Sequence, residues 1–233
     1  MGSAWHALGA RMTPQSTPHA RSRAVVLTIL ALWFIARLWP LFPDVGLGQL
    51  KRAVRPLFQP RIDPADLATF FVGWLVIAQA VFHLTRRQRA VDAFLIVIAI
   101  VLVGRTITAG NTLVTAELAA IALLLPVLVM LSRLADGTRS MLIAALLGTW
   151  LAWTALRPSL GHAGALSVDV PAMTDFFSRN PPQPAHLAAK GFSYVALAWL
   201  LAGAGLVPRV AAGVTFLFVL ILNWVALLPG FGT

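Results

Sequence analysis

The chain has 233 residues, 59% hydrophobic and only 11% charged, with a mean hydropathy of +0.82 and a formal net charge of +10. A soluble domain carries about 25% charged residues, so this set cannot cover a water-exposed surface. The basic residues are scattered through a tail and successive loops, a pattern that sets membrane topology and argues against a nucleic-acid partner, and the lack of cysteine excludes disulfides, thiolate metal sites and a cysteine nucleophile.

Residues 1–23, with Pro14, Pro18 and three arginines, read as a disordered basic cytoplasmic tail ahead of a single transmembrane helical domain over 24–233. The expected fold is all-α: a polytopic transmembrane bundle of about seven spans with one or two interfacial helices. A span needs about 20 apolar residues to cross about 30 Å of hydrocarbon. The runs 24–42, 65–84, 90–107, 117–131, 141–156, 185–206 and 210–228 are the candidates.

The first run is too long for the apolar core of a secretory signal peptide, and no small-residue cleavage site follows it. It is expected to be retained as span one, with Arg37 near enough to its far end to snorkel to the interface. Between Pro43 and Pro64, Leu47, Leu50, Val54 and Leu57 recur at helical spacing opposite Lys51, Arg52 and Arg55. That spacing fits a short helix in the headgroup plane; a solvated loop is the alternative. Asp63-Pro64 supplies an N-cap with proline at the first helical position, and Asp66 falls in the first turn of span two.

Arg86, Arg87 and Arg89 crowd the next turn and, with the basic tail, place the N-terminus in the cytoplasm. In span three only Ala93–Gly104 is free of charge, so it crosses if Asp92 and Arg105 stay at opposite interfaces; otherwise it is re-entrant. Span four opens at Glu117 and tolerates Pro126. Arg133, Asp136 and Arg139 precede span five. In the long loop that follows, Val170, Met173, Phe176 and Phe177 fit a second surface helix. Spans six and seven form a hairpin about Val207-Pro208-Arg209.

Seven crossings that start inside bring Arg61, Asp63, Asp66, Arg105, Asn111, Glu117, His162, His186, Lys190 and Asn223 to one outer face. The other face is mostly arginine, which orientation alone explains. Ionisable groups near hydrocarbon are costly, so the mixed face is the candidate site. Its proposed ligand-binding residues are Arg61, Asp63, Asp66, Arg105, Glu117, Lys190, Tyr194 and Asn223. Each also has a structural role open to it. Asp63 can serve as a cap, Glu117 as a charge on the helix start, and Lys190 as a snorkelling residue. Arg105 and Glu117 can pair simply to lower their burial cost, Tyr194 can pack in the core, and Asn223 can bond a neighbouring helix. His162 and His186 do not make a metal site on spacing, and neither metal nor cofactor is expected.

The hairpin carries a family resemblance. Ala189-Lys190-Gly191-Phe192-Ser193-Tyr194, followed by Leu197-Ala198-Trp199-Leu200-Leu201 and then by Leu222-Asn223 through Leu228-Pro229-Gly230-Phe231, resembles the VanZ-like membrane family. Asn223, Ala226 and Phe231 stand where that family has Glu, Gln and Arg. Arg61–Leu67 and Gly104–Glu117 are weaker echoes. The resemblance implies a multi-spanning protein of the bacterial envelope, in the cytoplasmic membrane, linked in that family to low-level glycopeptide resistance; no chemistry is established there. The expected role is to bind a lipid-linked cell-wall or polysaccharide component, its partners being membrane lipids and anionic head groups. The alternative is a non-catalytic scaffold that packs against another membrane protein. A transporter would need polar groups midway through its spans. No Ser-His-Asp order, zinc-ligand spacing or phosphate loop marks an enzyme.

Overall fold

The apolar runs become helices. The computed structural model describes residues 18–40, 42–44, 46–58, 62–85, 89–109, 111–156 and 184–226, and there the chain is all-helical. We label the helices α1 (Pro18–Leu38), α2 (Leu47–Val54), α3 (Pro64–Leu84), α4 (Ala90–Ile107), α5 (Thr115–Leu131), α6 (Asp136–Leu156), α7 (Pro184–Gly203) and α8 (Pro208–Ala226). A 3-10 turn, Arg55–Phe58, follows α2. Arg61, Arg86, Arg87, His162, the surface helix expected near 170–177 and the Leu228–Gly232 end lie outside the described residues.

Local signals set the ends. Asp63 caps α3 as its sequence predicts, its Oδ1 accepting from the Ala65 backbone N–H at 2.8 Å, with Pro64 at the first position. α1 starts at Pro18, inside the stretch expected as tail, so Arg21 and Arg23 form a polar opening to the helix. α4 runs unbroken through Ala93–Gly104 and beyond both flanking charges, a helix of 18 residues that is long and apolar enough to cross. α5 continues through Pro126, whose side faces outward.

α2 forms where the leucine spacing predicts, but its inward face differs. Gln49 and Ala53 are buried, while Leu47 (85% exposed) and Leu50 (48% exposed) point away from the bundle alongside Lys51 and Arg52. The reason is polar: Gln49 Nε2 donates to the carbonyls of Thr108 (2.9 Å) and Asn111 (3.0 Å) in the loop after α4.

Successive long helices run up and down. The start of α1 meets the end of α3, where Ser22 Oγ lies 2.8 Å from His83 Nε2, and the end of α3 meets the start of α6 through Gln79 and Ser140. At the other end, the backbone N–H of Asp44 bonds Ile107 and that of Ala109 bonds Phe42. Thr115 bonds Pro56 there as well. α3 is central, buried continuously from Val72 to Val81 and packed by α1, α4, α5 and α6, while α7 lies between α1, α6 and α8. Trp33, Trp74 and Phe94 form an edge-to-face stack through its middle.

Three helices, α3, α4 and α7, are long and apolar enough to cross a membrane. α5 and the apolar stretch Pro208–Leu222 of α8 are shorter, and α1 and α6 are as long but more polar. Around the outside runs a belt of exposed apolar side chains, including Ile96, Ile100, Val129, Leu146, Phe216 and Leu217. A belt of this extent is unstable in water and suits lipid contact. An arginine at the centre of a span costs about 2.5–3.5 kcal/mol on insertion scales. Ile96→Arg should therefore cut the membrane-inserted fraction of full-length protein sharply, measured by carbonate extraction, whereas Ile96→Leu should not.

Candidate functional site

Glu117 is the second residue to face inward at the start of α5, and its side chain has no exposed surface. Three helices bring donors to it. Arg105, in the last turn of α4, donates through Nη1 to Glu117 Oε2. Trp74, from the middle of α3, donates through Nε1 to Oε1 at 3.3 Å. Arg37, in the last turn of α1, holds Nη1 at 3.9 Å from the same Oε1, an ion pair too long for a hydrogen bond.

Arg37 thus corrects the reading of a snorkelling arginine. Only 7% of its surface is exposed, and its guanidinium lies over the Phe70 ring (4.5 Å to the centroid), with the Trp33 ring at 5.8 Å. Aromatic faces on two helices replace the water it would otherwise seek. Gly104 lets the end of α4 close on α1: a Cβ there would come within 2.9 Å of Leu38 Cδ2. That contact carries Arg105 to the side of Arg37.

The arrangement is charge-imbalanced, with two guanidinium groups sharing one carboxylate in an apolar interior. It is also donor-rich. Arg105 Nε and Trp33 Nε1 are buried without a partner. A Cβ added at Gly73 would lie 3.8 Å from both Arg37 Nη2 and Trp33 Nε1, so the missing side chain leaves space flanked by two donors. The chemistry available here is recognition of an anion. Among the described residues no group of His, Asp or Glu could hold a metal ion.

The structure brings Arg105 and Glu117 into direct contact. Asp63 and Asp66, both half-buried, and Lys190, half-buried in the first turns of α7, lie at the same end of the bundle, while Tyr194 sits half-buried midway along α7. Asp63 is occupied as the α3 cap. The Tyr194 hydroxyl is buried without a partner, and Asn223 lies in α8 with its side chain outside the described ones. The sequence pointed to Arg37 only as a snorkelling residue and did not single out Trp33 or Trp74. The one local signal for them is the i, i+4 spacing of Trp33 and Arg37.

No known family model, curated protein or solved structure matches the chain.

Removing the partner of a buried ion pair leaves an uncompensated charge and costs about 3–5 kcal/mol. Glu117→Gln strands two guanidinium groups and should lower the unfolding midpoint in detergent accordingly. Arg37→Gln removes the surplus cation while keeping the Arg105–Glu117 pair, and should be near neutral or stabilising. Equal losses in the two variants would refute the imbalance.

Proposed function

We propose that the chain is a VanZ-like integral membrane protein of the bacterial cytoplasmic membrane, with seven crossings and its N-terminus inside. In this reading it binds the anionic head group of a lipid-linked cell-wall or polysaccharide component at its outer end. The observation that carries the proposal is the surplus guanidinium: Arg37 is buried beside Arg105 and Glu117, its Nη1 3.9 Å from that carboxylate and so beyond hydrogen-bond reach of it. A phosphate or carboxylate would supply the missing negative charge and accept from Arg37 and from Trp33 Nε1. Arg105, Glu117 and Trp74 then act as the fixed frame, with Asp63, Asp66 and Lys190 at the same end.

The alternation of helix ends supports the parity of this topology. Cysteines introduced at Gly48 and Ala135, in a chain that has none of its own, should react with a membrane-impermeant reagent from opposite sides of sealed vesicles. Labelling of both from one side would remove the proposed arrangement.

Losing a hydrogen bond to a charged group costs about 1.5–3 kcal/mol, which corresponds to roughly 10- to 150-fold in affinity. Arg37→Gln should weaken binding of phosphatidylglycerol or an undecaprenyl phosphate by that factor, measured in mixed micelles against a zwitterionic control, with the fold intact. The second reading, a scaffold subunit, is favoured by α8, where Phe216, Leu217, Ile221 and Trp224 are exposed and Ala211, Thr215 and Leu222 are buried. It predicts instead that Arg37→Gln leaves lipid affinity unchanged.

A further inference from the structure

At the end of the bundle opposite Glu117, the helices part around a cavity of about 710 Å³. Its polar wall comes from α3, α6 and the first turns of α1. Gln79 is 95% buried by its 5% exposure; its Nε2 donates to Ser140 Oγ at 3.2 Å, while its Oε1 has no donor. Arg139 is held by Asp136, which accepts from Nη2 at 2.9 Å, and its buried Nε is left without an acceptor. His83 is fixed by Ser22 and by an edge contact with the Trp199 ring. Phe82 and Trp199 supply the apolar wall. The cavity stays open beside Ser140 because α7 reaches it at Gly203, where a Cβ would sit 3.0 Å from the Ser140 hydroxyl.

These groups ask for one ligand chemistry. Gln79 Oε1 needs a hydroxyl or ammonium donor, and Arg139 Nε needs an anionic acceptor. Asp136 is 90% exposed in its side chain, so its repulsion of an anion is screened by solvent while Arg139, 14% exposed, acts from within the wall. The rim carries exposed Val91 and Leu134, continuous with the lipid-facing sides of α4 and the α5–α6 turn. We propose that this cavity is a second binding site, for a phosphate ester that bears a hydroxyl or amine, as on a glycerophospholipid head group whose chains leave over Val91 and Leu134. Arg139 holds the phosphate, Gln79 accepts from the head-group alcohol or amine, and Trp199 and Phe82 line the glyceryl portion. The site lies away from the Arg37 cluster and does not rest on its function.

A test uses the full chain in detergent with Leu134→Cys as the sole cysteine, carrying an environment-sensitive label at the rim. Titration with a short-chain phosphatidylglycerol should give a saturable signal. Arg139→Gln and Gln79→Leu should each weaken it about ten-fold or more, and Arg37→Gln should not move it. Gln79→Leu removes an acceptor that lacks a donor but also the bond to the Ser140 hydroxyl, so its melting temperature is measured alongside; should it fail to fold, Arg139→Gln decides alone. Glycerol phosphate saturating as tightly as the lipid would support the site and identify a free phosphate ester as its source. No saturable signal from either, or unchanged midpoints in the folded variants, would overturn the proposal.

Discussion

One carboxylate holds together the end of the bundle where α1, α3, α4 and α5 meet. Glu117 has no exposed surface and is reached from three other helices, by Arg37, Arg105 and Trp74. Packing in lipid draws little on the hydrophobic effect, because the solvent is as apolar as the side chains. Directional polar contacts therefore fix helix order more strongly than they would in water. A bare carboxylate at this depth would be protonated or expelled, so the pairing with Arg105 is a condition for its presence.

That condition explains the loops around it. The segment after α1 and the segment after α4 interlock through paired backbone bonds, and Gln49 on α2 takes up two further carbonyls beside them. Leu113 donates to Ala53 in the same seam. These bonds hold the loops together at the Glu117 end. The opposite end has no comparable seam among the described residues; there, side chains rather than backbone meet across the helices, and the cavity beside Gln79 opens between them. The two ends are thus chemically different: a cationic cluster beside a loop seam at one, and a donor–acceptor wall lining a cavity at the other.

How far the sequence revealed this depends on the range of each interaction. Asp63-Pro64 as a cap is a three-residue property and was legible, as were helix positions set by apolar runs and the Pro-rich breaks between them. The pairing of Arg105 with Glu117, twelve residues apart across one short loop, was open to view as an alternative. Arg37 was not, because a lone arginine near the end of an apolar run looks the same whether it snorkels or turns inward. What turns it inward is Phe70 from α3 together with Glu117 from α5, neither of them a neighbour in sequence. The leucine stripe of α2 misled for a related reason. Hydrophobic periodicity assumes that the buried face is the apolar one, whereas here loop carbonyls draw Gln49 inward and leave Leu47 and Leu50 outside. Gln79 gave no signal at all: one glutamine in an apolar run has no period.

The surplus cation is the feature that separates a structural cluster from a recognising one. A frame built only to tie α4 to α5 would be complete with Arg105 and Glu117, whose charges cancel. Adding Arg37 introduces a second buried guanidinium that gains only a distant share of a carboxylate already engaged, plus contact with two aromatic faces. Those gains are small beside the desolvation of a full charge, since a cation–π contact contributes on the order of 2 kcal/mol when desolvated and burial of an ion costs several kcal/mol. An apolar side chain at position 37 would pack against Phe70 and Trp33 without that deficit. The deficit closes when an anion joins the cluster, because one negative group then neutralises the charge and satisfies the donors of Arg37 and Trp33 together. In the proposed function, binding energy of that kind goes to a ligand with a compact negative charge, and selectivity against zwitterionic head groups would follow from the same imbalance.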